Sequence, residues 1–444
     1  MKQIYRSAKK ATGLGRHGAW TNKEYYEDGS LAWEEQGWYE AGERHGSWRE
    51  KYYYKDGTLE WETRGRCKAG KKDGVWTTKW YRENGVQERE YQDRYEAGKE
   101  HDLSTVKYYR ENGSLERETR GRYKGNEQHG PWTEKHYSEE GNLEKEHQGP
   151  YEAGQRHGVW TEKQYYSSII DDGSMEHTEQ GPYETGKRLG TWTEKYYKDG
   201  TLDQEGQGQY SDGKRHGPWT TKGYCENSTL SWEHQDLYQA DEQHGLCIFR
   251  SFRADGTLEE EHQDLYVHGK VHGLCTRKHY YEDGTLWEMR GLWADGKQHG
   301  PWTGKSYCVD GTLEVETQIR YEDGELSGPM TGKHYREDGS LEREEQGEQN
   351  EDGEQHGDWT EKWYYKDGTL ERETRGRYKT GTRTDPWTEK QYREDGSLEW
   401  ETRGPYEAGE RRGSWTEKHY REDGSLEREE NVRYKNGERQ SSER

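Results

Sequence analysis

The chain has 444 residues, 26% of them apolar and 36% charged, and 68 Lys and Arg against 90 Asp and Glu give a net charge of −22. A surface this acidic repels phosphate backbones and anionic bilayers, which argues against nucleic-acid and membrane partners and in favour of a basic one. The low apolar share taken alone would indicate disorder, but 20 Trp and 36 Tyr contradict that; a thin layer of packed aromatics without a deep core accommodates both facts.

Residues 1–19 are a basic lead-in without an apolar run. With no export signal or membrane span in the sequence, a cytoplasmic protein is expected. From Trp20 to residue 438 the chain repeats one unit of about 28 residues, first seen as Trp20 to Ser47. Fifteen copies open at positions 20, 48, 76, 104, 132, 160, 192, 219, 247, 275, 302, 330, 359, 387 and 415, and residues 439–444 form a polar tail. A fixed period of this kind means a linear array rather than separate globular domains.

Within a copy, Asp28-Gly29 separates two runs bearing Tyr and Leu, a short-range hairpin signal, and Ala41-Gly42 marks a second turn. No apolar period of 3.6 occurs, so helix is not expected. The fold class is therefore all-β: an elongated, twisted, mostly single-layer antiparallel meander of about fifteen hairpins, or thirty strands. The Lys23 slot is Lys in fourteen copies and Arg250 in the other, and the Glu34 slot is Glu in thirteen, with Thr178 and Met289 as exceptions.

A two-residue turn at Asp28-Gly29 would set Lys23 opposite Glu34, and the next turn would set Lys79 between Glu90 and Glu60. A three-residue loop would oppose Lys79 to Arg89, which costs energy, although it would place Tyr25 and Leu31 on one face. The first register is preferred. It gives one face Thr21, Lys23, Tyr25, Glu34 and His45, and the other Trp20, Leu31, Trp33 and Tyr39, with Gly37 beside an aromatic ring.

Copy six carries an insertion, Ser167-Ser168-Ile169-Ile170, that would lengthen its turn into a tip. Copies eight to ten, roughly 219–301, lose Trp at 247 and 275, lose the turn Gly at Ser228 and hold both phenylalanines, Phe249 and Phe252. The bland reading of both is tolerated irregularity; the functional one is a contact site. Candidate partner-binding residues are Trp232, Phe249, Phe252, Ile169 and Ile170 in these stretches and, from the aromatic rows whose edges a thin sheet leaves open, Trp33 and Trp61. The five scattered cysteines, with Cys247 and Cys275 in the Trp slot, read as small buried substitutes.

Neither catalysis nor a cofactor is expected. Nearly every Asp, Glu, His and Lys is one of many equivalent copies, and nucleophile elbows, phosphate loops and CxxC pairs are missing. The His slot of His45 recurs in neighbouring copies about 9–10 Å apart, too far for a shared metal. Asp171-Asp172-Gly173 is the densest acidic spot but matches no calcium loop.

The order Tyr39, Gly42, His45, Gly46, Trp48, Tyr53, Tyr54, Gly57, Leu59 resembles the membrane occupation and recognition nexus (MORN) repeat. It is most similar to a variant of that repeat found in bacterial proteins that include antitoxin or immunity components. The resemblance, over about residues 12–438, implies an open β array that acts by binding proteins and, in some relatives, lipids. The expected function is a non-enzymatic scaffold that binds a basic protein through an acidic, aromatic-rich sheet, as an antitoxin-like neutraliser. The alternatives are a carbohydrate or cell-wall binding module and a filament built by end-to-end strand pairing.

Overall fold

The computed structural model describes residues 16–100, 104–124, 127–167, 174–350 and 353–440. It divides into two compact units, Met1–Gly217 with Glu226–Ser228 and Pro218–Cys225 with Thr229–Arg444, each taken by itself below. Both are all-β and antiparallel, and no helix among the described residues is long and apolar enough to cross a membrane. Each strand packs on the strands before and after it in sequence, so within each unit the sheet is one layer.

The first unit shows how a copy is built. Strands β1 (Gly18–Tyr25), β2 (Leu31–Glu40), β3 (Glu43–Tyr53), β4 (Leu59–Lys68), β5 (Lys71–Tyr81) and β6 (Gln87–Glu96) follow one another as a meander. The β1–β2 turn is not the expected two-residue turn. Tyr26 N–H donates to Ser30 C=O at 2.9 Å and Gly29 N–H to Tyr26 C=O at 3.0 Å, leaving Glu27, Asp28 and Gly29 in the loop. Gly29 takes φ 87°, a conformation that favours glycine. The Asp28 carboxylate accepts the Ser30 N–H and Oγ–H, which holds its pKa below the ordinary value.

A bulge then resolves the conflict between charge and packing. Tyr25 pairs with Leu31 but Glu24 pairs with Trp33, so Ala32 is an extra residue and the register steps back. Lys23 therefore still faces Glu34, at 3.7 Å, and Glu34 meets Lys51 from the other side at 3.6 Å. Leu31 consequently belongs to the face of Lys23 and Tyr25, not to that of Trp33 as expected. In the second unit the strand Leu286–Ala294 lacks the extra residue, so Lys278 meets Glu288 and the apparent exception at Met289 disappears.

A second bulge follows each Ala-Gly turn and was not expected. Arg66 pairs with Asp73 but Arg64 pairs with Thr77, so Gly74, Val75 and Trp76 pass the single residue Gly65. Gly74 makes this possible at φ 76°. The shift of two residues leaves the faces unchanged but sets Lys79 between Glu90 and Glu62, rather than Glu60. By interrupting arms, these bulges also raise the strand count among the described residues to 39, above the thirty expected.

The same bulge lays an indole on bare backbone. A Cβ built on Gly37 would lie 2.4 Å from the Trp48 ring, and Gly65, Gly149 and Gly404 lie as close to Trp76, Trp160 and Trp415. The indole N–H of Trp76 donates to the Arg66 carbonyl at 2.9 Å, as Trp160 does to Pro150. A cation four residues earlier covers the outer ring face: Arg44 over Trp48 at 4.4 Å, Arg188 over Trp192 at 4.1 Å, Arg411 over Trp415 at 4.3 Å. Tyrosines close the sides edge-on, as Tyr39 does between Trp20 and Trp48. Thus Trp192, Trp387 and Trp415 reach 0% exposure in a single-layer sheet.

Sequence variation within the chain obeys this geometry. Where the Trp slot is Ser104, Cys247, Cys275 or Met330, the preceding Gly slot is Asp93, Asp236, Asp264 or Ile319. In those places the covering cation is also gone, replaced by Glu100, Gln243, Val271 and Leu326. All five cysteines are free, and burial, with Asp236 beside it, pushes the Cys247 thiol up to about 12.

An indole removes about 150–250 Å² from water, about 4–6 kcal/mol at ~25 cal/mol/Å², whereas one cross-strand ion pair contributes ~0.2–1 kcal/mol. The Trp–Gly contact therefore dominates the fold, and the ion ladder refines register. In urea unfolding followed by circular dichroism, Trp387→Cys should cost about 3–5 kcal/mol. Gly376→Asp alone should cost a comparable amount, and the double variant should fall short of the sum by more than about 1 kcal/mol. Additive losses would contradict the contact.

Candidate protein-interaction surfaces

The two faces of the sheet differ chemically. The face of Lys23 carries the ion ladder, which continues as Lys79–Glu90 at 3.1 Å and, in the second unit, Arg250–Glu261 at 2.8 Å. Tyrosines of the Tyr25 slot bond to it: Tyr53 donates to Glu34 at 3.0 Å and Tyr364 to Glu344 at 2.9 Å. Burial, reinforced by these carboxylates, pushes both phenols up to about 12.

The opposite face carries the buried indoles and, beside them, a half-buried second row. In the first unit this row is formed by direct cross-strand pairs: Trp33 with Tyr52, Tyr52 with Trp61, Trp61 with Trp80, Trp80 with Arg89. Tyr52 and Trp61 stack at 4.0 Å with planes 17° apart, and Trp61 and Trp80 at 6.4 Å and 29°. The Arg89 guanidinium lies over Trp80 at 4.7 Å. The ring faces are largely used on one another or on Arg89, which leaves a half-buried surface of ring edges and the guanidinium.

The structure brings Trp33 and Trp61 into this one row. Trp232, in the second unit, lies over Gly223, where a Cβ would come 2.1 Å from its ring nitrogen. Phe249 sits between His234 and His262 at 6.0 and 5.6 Å, on the indole face. Phe252 occupies the Tyr25 slot opposite Leu258, on the ladder face. Phe249 and Phe252 therefore belong to different surfaces. Ile169, Ile170 and the acidic run Asp171-Asp172-Gly173 lie outside the described residues. The His45 ring pairs with Glu40 at 3.2 Å beside its turn. Among the described residues no three His, Cys, Asp or Glu side chains group as a metal site would require.

Sequence reasoning missed a set of five exposed leucines on the ladder face of copies eight to ten: Leu237, Leu246, Leu265, Leu274 and Leu292. The signal was present. In six other copies the slot of Leu237, Leu265 and Leu292 holds an arginine: Arg66, Arg94, Arg122, Arg320, Arg377 or Arg433. The drift of this segment was read from its lost tryptophans instead.

No protein-family model matches the chain, and no curated protein does. Among solved structures it is similar to a chain of the Photorhabdus luminescens Tc holotoxin pore, with 10% identity and a TM-score of 0.14. That match covers 94% of this chain but only 31% of the other, so the chain spans about a third of its length.

The tyrosine bonds give a pH dependence. Both phenols are protonated, folded or unfolded, below about pH 10. With the folded pKa raised, the stability from these bonds is complete there and is lost as pH rises from about 10 through 12. The wild-type melting temperature should therefore fall more steeply over that interval than that of Tyr53→Phe/Tyr364→Phe. Parallel curves would refute the assignment.

Proposed function

We propose that the chain is a non-enzymatic scaffold that binds another protein, one with a basic surface, through its aromatic-rich sheet. The observation that carries this reading is the half-buried row Trp33, Tyr52, Trp61, Trp80 and Arg89. Trp, Tyr and Arg are the residue types that dominate protein-binding hot spots, and rings held rigid by stacking lose little entropy on contact. The charge of −22 adds attraction and steering toward a basic partner. The resemblance to antitoxin-type repeats supports a neutralising role for the same surface.

Two other readings fare less well. A carbohydrate module needs open ring faces on which sugars stack, but Tyr52 and Trp61 cover each other at 4.0 Å. A filament would add the strand Gly18–Tyr25 of one copy to the strand Leu426–Lys435 of another. In the repeat geometry Trp20 would then meet Val432, which stands in the Gly slot and has a Cβ where the ring must lie.

Capture experiments with the full chain, read by mass spectrometry, should retain one basic protein whose recovery falls as salt rises. Trp61→Ala/Trp80→Ala should weaken that capture by more than about tenfold, the loss expected of a hot spot. A salt-independent change in tryptophan fluorescence on adding oligosaccharides, without such a protein, would overturn the reading in favour of glycan binding.

A further inference from the structure

We infer that the leucine stripe of the second unit is a docking site for a basic amphipathic helix of another protein. The stripe crosses five successive strands, Leu230–Gln239, Gly245–Phe252, Leu258–Val267, Gly273–Tyr280 and Leu286–Ala294. Leu246 lies directly opposite Leu265, and Leu274 opposite Leu292. Their exposures, from 37% for Leu265 to 56% for Leu274, leave each side chain substantially open to water. Leu237 and Leu265 lean over the bulge glycines Gly245 and Gly273, where an added Cβ would come within 3.0 and 2.9 Å of them. The stripe is thus a fixed apolar strip, not scattered surface residues, in slots that the rest of the chain fills mostly with Arg, Pro or small side chains.

Three features select the occupant. The strands beneath have used their backbone hydrogen bonds on one another, so a ligand lying on this face must satisfy its own backbone, as a helix does. The stripe runs across the strands for roughly 20 Å at ~4.8 Å per strand, close to the 5.4 Å pitch at which a helix repeats an apolar face. Finally, the exposed carboxylates of Glu242 and Asp295 stand at the turns beside the stripe, paired with the histidines His268 and His272. Together with the overall charge of −22, they call for Lys or Arg along the flank of that helix.

The test titrates the full chain into a labelled sixteen-residue peptide of Leu and Lys, with Leu at i, i+3, i+4 and i+7, and reads fluorescence anisotropy. A peptide of equal composition without an apolar face is the control. The variant Leu237→Arg/Leu265→Arg/Leu292→Arg installs what six other copies hold in that slot. A second, Leu246→Ser/Leu274→Thr, uses the residues found at Ser47 and Thr191. Both should melt like the wild type.

Binding of the amphipathic peptide should weaken at least tenfold in both variants, and the control peptide should bind at least tenfold more weakly to the wild type. Trp61→Ala/Trp80→Ala should leave peptide binding unchanged, which separates this site from the aromatic row. Equal binding by the variants, or by the control peptide, would overturn the proposal. So would a concentration-dependent dimer in sedimentation that the leucine variants dissolve, since the occupant would then be a second copy.

Discussion

The structure depends on an indole lying where a side chain cannot be. One copy offers a glycine without a Cβ, and the next copy lays a tryptophan across it, with an Arg or Lys above in at least six of the described copies and tyrosine edges to the sides. That arrangement supplies, in a sheet one layer thick, the dry environment that other folds obtain from a second layer. It also explains how a chain that is only 26% apolar escapes disorder. Burial is concentrated in one large ring in each copy that keeps its Trp, and that ring is enclosed by polar atoms of the protein itself.

The contact is also a register device. A ring that fits only over glycine punishes any slip of the strands, because the neighbouring positions all carry a Cβ. The bulge glycines do the complementary work: Gly46 at φ 71° and Gly74 at φ 76° let extra residues pass so that the indole reaches its seat. The Lys–Glu rungs agree with this register and add to it. Where the ring is lost, as at Cys247 and Cys275, the Gly slot holds Asp236 and Asp264, and burial together with these carboxylates pushes the thiols up. These copies keep their strands but lose the covering cation, and the same stretch exposes its leucines on the other face.

Much of this was legible in the sequence. Period, hairpins, the all-β class and the pairing of Lys23 with Glu34 follow from slot regularity and turn chemistry. What escaped was the pair of bulges. The first let Tyr25 meet Leu31 and Lys23 meet Glu34 together, a choice that a bulge-free hairpin presents as exclusive. A ring beside Gly37 was expected and is found, but the second bulge hid which ring it is, the Trp of the following copy, although the joint substitution of Gly and Trp slots is written in the chain. Bulges are set by single backbone dihedrals, and the glycines that permit them look like ordinary turn glycines. Trp33 and Trp61 were named from the sequence, but the row that joins them through Tyr52 to Trp80 and Arg89 was not; nor was the leucine stripe, which stands out only against the polar and proline residues of equivalent slots.

The most direct test of the central claim is the chemical shift of the covered glycines in glycine-labelled protein. An α-proton held against an indole face feels its ring current, so Gly65, Gly149, Gly181 and Gly376 should resonate far upfield of turn glycines such as Gly29 and Gly57. Replacing Trp76, Trp160, Trp192 or Trp387 should return only the matching glycine to the ordinary range. Glycine α-protons at ordinary shifts in the wild-type protein, or indifferent to those replacements, would contradict the account.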